Sequence, residues 1–192
     1  MERLKNADKI FCLDDNASDI LFRDVLSTLD ELYQWRLKWN LLHGGATAVA
    51  EENPGHAVTE NDTRLLPAPT SVKRFGNLQP AAELCLFNAI VLILLRIGEI
   101  LRNRLRTTGF LKWSQELCKS RFGSSQYLSE EVVQLAPYMS EVQHGNKGIY
   151  LLSFPLQIAR SRLEPGSAVL KRAEDTMRSM NENLGVYVSD DI

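Results

Sequence analysis

A long apolar run in the middle of the chain constrains the fold most, because the other segments must cover it. From Leu84 to Leu95 only Asn88 is polar, and Pro80 suits the first turn of a helix, where no backbone N–H is needed. We predict a helix that begins near Asn77–Pro80, ends near Arg106 and is apolar on nearly all sides over its first half. Because a bilayer span needs about 20 residues, this shorter run predicts a buried core helix and no membrane segment.

A second apolar pattern supplies a partner for this helix. Between Leu21 and Leu42, apolar residues recur every three or four positions, which predicts an amphipathic helix with a wide buried face. Ser18 is placed to cap that helix, and Asp19 would put a carboxylate near the positive end of its dipole. Gly44 and Gly45 would end it. The sequence therefore predicts two long helices that pack lengthwise and form the interior.

The remaining segments continue the helical pattern. Four shorter helices are predicted over residues 109–121, from Ser129 to a limit or kink at Pro137, over residues 148–163 with a kink at Pro155, and from a Ser167 cap to Gly185. A turn is predicted at Gly145–Gly148. Residues 44–77 are rich in Gly and Pro and predict a long connection, mobile around residues 48–62.

These elements fit one all-α domain. A chain of 192 residues has the length of one domain or at most two, and can bury about 70% of its unfolded surface without a disulfide or a metal. We expect a helical bundle of five or six helices over residues 19–188, with the flexible connection at 44–77. Residues 1–18 are expected to be loosely ordered, and residues 189–192 form a tail.

Charge and cysteine content narrow the functional classes. A net charge of −2 and an isoelectric point near 6.0 argue against a dedicated nucleic-acid-binding module. Cys12, Cys85 and Cys118 are odd in number and far apart, which suits a reducing compartment. The first twenty residues carry charges where a signal peptide needs an apolar stretch. We therefore expect an intracellular protein, nuclear or cytoplasmic.

No standard catalytic motif is present in the sequence. It contains no Gly-rich phosphate loop, no HExxH, no GxSxG and no CxxC. The histidines share no metal-ligand spacing, and His43 lies near a helix C-terminus, where an imidazolium would favour the dipole. The other two histidines are His56 and His144. The sequence therefore predicts no catalytic residue and no cofactor.

Charged residues are unevenly distributed. Asp14, Asp15 and Asp19 form a D-D-x-x-x-D pattern of the kind that can hold Mg²⁺, yet they precede every cavity-forming helix and favour a solvated helix start. Residues 96–121 are mostly basic but lack the interleaved aromatics of a base-stacking surface. A solvated face that pairs with the protein's own acids is favoured there. We predict no metal site and no direct DNA binding.

The order of several segments resembles a known family. The segments are ELYQWRLKW, a Pro-rich connection, FGNLQPAAELCLFNAIVLILLRI, YLLSFPLQIARSRLEPGSAVLKRAEDTM and a closing NLGVYV. Over residues 31–188 this order is similar to the C-terminal part of the helical regulatory region of fungal transcription factors that bind DNA through a binuclear zinc cluster. Phe75 and Asn77 match the family's Phe-x-Asn step, and Phe154–Leu156 its Phe-Pro-Leu stretch. That cluster needs six closely spaced cysteines, so the DNA-binding module is absent here.

The resemblance implies a regulatory domain that senses a small apolar metabolite or binds a partner protein, in fungal transcription regulation and often in secondary metabolism. Aromatic residues are the candidates for lining a ligand pocket, with core packing as the alternative for each: Trp35, Trp39, Phe75, Phe87, Phe110, Trp113, Tyr150 and Phe154. The second hypothesis is a biosynthetic enzyme without a motif, for example a cyclase that uses an apolar pocket of the same fold. Binding is favoured over catalysis. The ligand, the target genes, a homodimer, and whether the chain is a fragment all stay open.

Overall fold

The computed structural model describes residues 15–43, 48–51, 71–105 and 124–183. Within these ranges five α-helices carry most of the structure: α1 (Asp15–His43), α2 (Leu78–Leu105), α3 (Ser125–Met139), α4 (Gly145–Arg160) and α5 (Ala168–Asn183). A 3-10 turn at Val142–His144 joins α3 to α4. The prediction of an all-α helical bundle is confirmed.

Two short strands lie inside the segment that the sequence predicted to be a flexible connection. β1 (Ala48–Glu51) and β2 (Ser71–Arg74) pair antiparallel, with Ala48 opposite Arg74 and Glu51 opposite Ser71. The sequence missed them because four residues are too few for a readable two-residue alternation. Residues 48–51, predicted to be mobile, are thus paired, and β2 also packs against α3.

The helix starts differ from the predicted ones. α1 begins at Asp15, so residues 15–18 of the predicted loose segment are helical. Ser18 does not cap this helix: it is buried inside the first turns, one turn before Phe22, and extends the apolar row. α3 begins four residues before the predicted Ser129, because the Ser124 hydroxyl caps it by accepting a hydrogen bond from the Tyr127 N–H at 3.3 Å.

For α4 and α5, one predicted boundary feature is wrong and one is confirmed. The predicted turn at Gly145–Gly148 is wrong, since Gly145 is the first residue of α4 and Gly148 lies within that helix. Pro155 lies inside α4, which ends at Arg160. The predicted Ser167 cap is confirmed by a 3.1 Å hydrogen bond from the Leu170 N–H. The predicted helix over residues 109–121 lies outside the described residues.

Helix α2 is the centre of the bundle. It packs against α1, α3 and α4, while α5 covers α3 and α4. The most deeply buried side chains come from four helices: Leu29, Leu84, Leu92, Leu101, Leu128, Leu135, Leu152 and Leu156. The predicted meeting of α1 and α2 is therefore real, but α3 and α4 contribute as much to the interior.

The central helix also has the length and hydropathy of a membrane span. The most apolar 18-residue window within Leu78–Asn103 has a mean hydropathy of 2.2, and 56% of that window is buried inside the bundle. Core helices of globular domains commonly meet both criteria. Its packing against three neighbouring helices explains its apolar character without a bilayer.

Candidate functional site

The first half of α2 and residues 147–155 of α4 form an open groove of about 570 Å³. The two helices run parallel, because Arg162, just beyond α4, reaches the Leu92 carbonyl oxygen at 3.4 Å and the Glu99 carboxylate at 3.3 Å in the second half of α2. The walls are mainly apolar: Leu78, Ala82 and Leu86 from α2, and Tyr150, Leu151, Phe154 and Pro155 from α4. Pockets of 300–1,000 Å³ with such walls are typical of small-molecule sites.

Large apolar side chains in this groove are open to water. The exposed fractions are 49% for Leu86, 65% for Tyr150, 42% for Leu151 and 47% for Phe154. Single exposed apolar residues are ordinary, but a contiguous concave set marks a binding surface. Phe154 follows Leu151 by three residues and Tyr150 by four, so the three side chains lie along one face of α4.

Three polar side chains stand at the edges of the groove. The Glu83 carboxylate accepts hydrogen bonds from the Gln79 Nε2 at 2.9 Å and from the Trp39 Nε1 at 3.2 Å. Lys147, in the first turn of α4, makes no ion pair with any residue in the part of the chain that the structure describes. The groove thus contains a carboxylate that is already hydrogen-bonded and a cation that is available.

The predicted aromatic pocket residues separate into two sets. Tyr150 and Phe154 line the groove. Four others pack against one another between α1 and α2, in ring contacts of 5.1 Å (Trp35 with Phe87), 6.3 Å (Trp35 with Trp39) and 5.9 Å (Trp39 with Phe75). Trp39, Phe75 and Phe87 are buried. The placement of these three fits the core-packing alternative, whereas Trp35 is 37% exposed. Phe110 and Trp113 lie outside the described residues.

Beside this aromatic cluster lies a buried ion pair that the sequence analysis missed. The Arg36 Nη2 donates to both carboxylate oxygens of Glu131, at 2.9 and 3.1 Å, and the two side chains are 3% and 1% exposed. Asn88 donates its Nδ2 to the same carboxylate at 2.9 Å. The Arg36 guanidinium lies 5.2 Å from the Trp39 ring and 5.5 Å from the Phe87 ring, within cation–π range. This network joins α1, α2 and α3.

The sequence carried signals for this network. Asn88 is the one polar residue in the apolar run, and Arg36 lies between two tryptophans on a predicted buried face. A helix that begins at Ser129 would place Glu131 in its first turn, where acids are ordinary. Once α3 begins at Ser125, Glu131 falls among the buried residues Leu128, Val132 and Leu135, where a lone carboxylate needs a partner.

Cys85 is buried in the same interior, and its thiol is therefore unreactive. Burial raises the pKa of the Cys85 thiol far above its ordinary value, and the negative charge of Glu131 raises it further. Its Sγ lies 3.4 Å from the Met139 Sδ. Because the reactive form of a cysteine is the thiolate, Cys85 stays an inert core residue.

The raised pKa predicts an alkaline loss of stability. The unfolded thiol ionises near its ordinary value of 9.0, whereas the folded thiol keeps its proton. The stabilising contribution is therefore complete below pH 9 and declines above it, by about 1.4 kcal/mol of unfolding free energy per pH unit. Urea unfolding of the wild type and of Cys85→Ala between pH 8 and 10.5 measures this. The wild type should show the steeper decline, and equal slopes would contradict the assignment.

His144 lies 4.7 Å from the Tyr138 ring, and its Nε2 is buried without a hydrogen-bond partner in the described part of the chain. The charged residues and His43, also singled out in the sequence, have ordinary surroundings where they are described. Asp19 pairs with Arg23 at 2.7 Å, and Arg96 with Glu99 at 3.5 Å, as a self-paired surface requires. The His43 ring lies 4.9 Å from Trp39. Asp14, His56 and residues 106–121 lie outside the described residues. In the described part, no three His, Cys, Asp or Glu side chains gather as a metal site.

The two local features differ in what they can do. The ion-pair network is closed to water and holds helices together, whereas the groove is open, apolar and edged by a cation. Comparison of the chain with protein-family models, with curated proteins and with solved structures gave no match. The apolar lining of the groove and the charged groups at its edge are therefore the evidence for what it binds.

Proposed function

We propose that this chain is a regulatory binding module whose groove between α2 and α4 takes a small, mainly apolar molecule. The observation that carries the proposal is the set of four large apolar side chains that face one space of about 570 Å³ and remain 42–65% exposed. The resemblance to the fungal regulatory region supports, as part of this proposal, a role in transcription control inside the cell, nuclear or cytoplasmic, without direct DNA binding.

The groove has enough apolar surface for a useful affinity. Full burial of a Leu or Phe side chain contributes about 1.5–3 kcal/mol, and about half of each of the four side chains is open to a ligand. Their further burial would contribute roughly 3–6 kcal/mol, to which the ligand's own apolar surface adds and from which ordering costs subtract. Dissociation constants in the micromolar range, about −8 kcal/mol, are therefore expected.

A motif-less enzyme on the same groove is the second candidate. Such an enzyme would hold a reactive chain in one conformer and keep water away from it. The groove of this chain is open along one side, which favours reversible binding over protection of a reactive intermediate. Mass analysis of pathway intermediates after incubation with the pure protein would detect any turnover.

A neutral apolar dye tests the binding proposal. N-phenyl-1-naphthylamine should bind the wild type with micromolar affinity and a rise in dye fluorescence. Phe154→Ala removes one wall of the groove and should weaken this binding about tenfold, since about 1.4 kcal/mol of apolar contact is lost. Phe154 is half exposed, so its truncation leaves the core intact.

Ile20→Ala is the matched control, because Ile20 is 48% exposed on α1 and lies outside the groove lining. Its dye affinity should equal that of the wild type. Equal losses in the two variants, or no saturable binding by the wild type, would refute the groove as the site.

A further inference from the structure

We infer that the groove selects an apolar acid, whose anionic head pairs with Lys147 while its tail lies toward Phe154. This inference rests on the proposed function and adds the chemical class of the ligand. The inference is based on two observations. The groove has a charged end and an apolar end along α4, and of its two charged groups Glu83 is already hydrogen-bonded whereas Lys147 has no ion pair in the described part of the chain.

Lys147 stands at one end of an apolar row. Tyr150, Leu151 and Phe154 follow it at steps of three, four and seven residues, so all four side chains share one face of α4. With a rise of about 1.5 Å per residue, Lys147 and Phe154 are roughly 10 Å apart along the helix. An extended medium-length alkyl chain spans that distance, which suits a ligand with one polar end.

The sign of the polar end follows from the hydrogen bonds. The two carboxylate oxygens of Glu83 already accept from Gln79 and Trp39, so a cationic ligand would have to compete with both donors. The Lys147 ammonium has no acidic partner in the described part of the chain, unlike Arg96, Arg160 and Arg162, which each pair with a carboxylate. An anionic head therefore gains an ion pair without breaking an existing one.

Three ligands with one tail and different heads test the inference: decanoate, decanol and decylamine, each used below its micelle concentration. Displacement of the bound naphthylamine dye gives the three affinities at pH 7.5. Decanoate should bind about fivefold more tightly than decanol, as expected for a partly exposed ion pair, and decylamine should bind no better than decanol. The decanoate preference should shrink as salt rises from 20 to 500 mM.

Variants of Lys147 assign the preference to one group. Lys147→Gln should make decanoate and decanol equivalent, and Lys147→Arg should keep the preference. Lys171→Gln, which removes an exposed lysine of α5 outside the groove, is the matched control and should behave as the wild type.

The outcomes separate this inference from the proposed function. Equal binding of decanol and decanoate to the wild type would overturn the acid preference and leave the groove as a binding site. Failure of all three ligands and of the dye would overturn both. Self-association that Phe154→Ala abolishes and decanoate does not reverse would show that a second copy covers the groove, and would also overturn the inference.

Discussion

Replacing Glu131 with glutamine is expected to lower the free energy of unfolding by about 3–5 kcal/mol, the cost of leaving a buried charge without its counter-ion. Glutamine has nearly the same shape, so the loss comes from charge and not from a cavity. Arg36 is 3% exposed and cannot turn to water without moving α1 away from α2. Urea unfolding at pH 7, followed by far-UV circular dichroism, measures the change.

A double variant distinguishes two contributions to the free energy of unfolding: the penalty of one unpaired buried charge and the net stabilisation by the intact ion pair. Arg36→Met with Glu131→Leu removes both charges and fills similar volumes, so it should be at least 2 kcal/mol more stable than Glu131→Gln. The remaining deficit of the double variant reflects Asn88, whose Nδ2 loses its acceptor when residue 131 is leucine.

Arg23→Met supplies the surface control. Its pair with Asp19 has a shorter distance, 2.7 Å, but the side chains are 68% and 47% exposed. Its loss should therefore cost less than about 1 kcal/mol. A Glu131→Gln variant as stable as Arg23→Met would show that the buried pair contributes nothing to folding.

The network gives the bundle a specific arrangement that apolar packing alone does not supply. In the described residues α1 packs mainly on α2, and leucine and aromatic contacts of that kind tolerate small rotations. The two hydrogen bonds from the Arg36 Nη2 to the Glu131 carboxylate tie α1 to α3, because both side chains are buried and charged. The orientation of Trp39, and through it Glu83 at the groove, follows from this arrangement.

The helical fold could be predicted because its signal is local and repeated. Apolar spacing of three and four residues predicts α1 and α5. The apolar run around Leu92 predicts α2 and its central position in the bundle. The strands and the start of α4 could not be read in this way. Gly145 and Gly148 look like a turn in sequence, and only the structure shows that Gly148 is a helical residue lying against the Met139 carbonyl group at the end of α3.

The sequence predicts that aromatic residues line the groove, but it does not predict which of them do so or where the groove lies. The aromatic residues of α1 and α4 were equally good candidates, because periodicity gives the face of each helix and not the face of its neighbour. The structure buries Trp39 and leaves Tyr150 open. Lys147 carried no sequence signal at all, since its significance comes from the apolar row that follows it and from the absence of an acid beside it in the described part of the chain.

Gly148→Ala is expected to lower the free energy of unfolding by about 3 kcal/mol, although alanine normally stabilises a helix relative to glycine by about 1 kcal/mol. A Cβ at Gly148 would collide with the Met139 carbonyl oxygen, and it would also lie 3.0 Å from the Met139 carbonyl carbon and 3.2 Å from the His144 Cβ. The obstacle is backbone, and Met139 is fully buried against Cys85, so neither side can give way cheaply. Thermal unfolding should show a midpoint roughly 6–12 °C below that of the wild type.

Gly76→Ala is the control that distinguishes this steric argument from a general intolerance of substitution. A Cβ at Gly76 meets nothing within 4 Å, and the residue stands just before α2. Its replacement should change stability by less than about 0.5 kcal/mol, because it is a surface position without contacts. A Gly148→Ala variant that is as stable as Gly76→Ala would mean that α4 does not cross the end of α3 as closely as described. The groove between α2 and α4 depends on that crossing, since it sets where Lys147 and Tyr150 lie, so the same result would also remove the geometric basis of the ligand proposal.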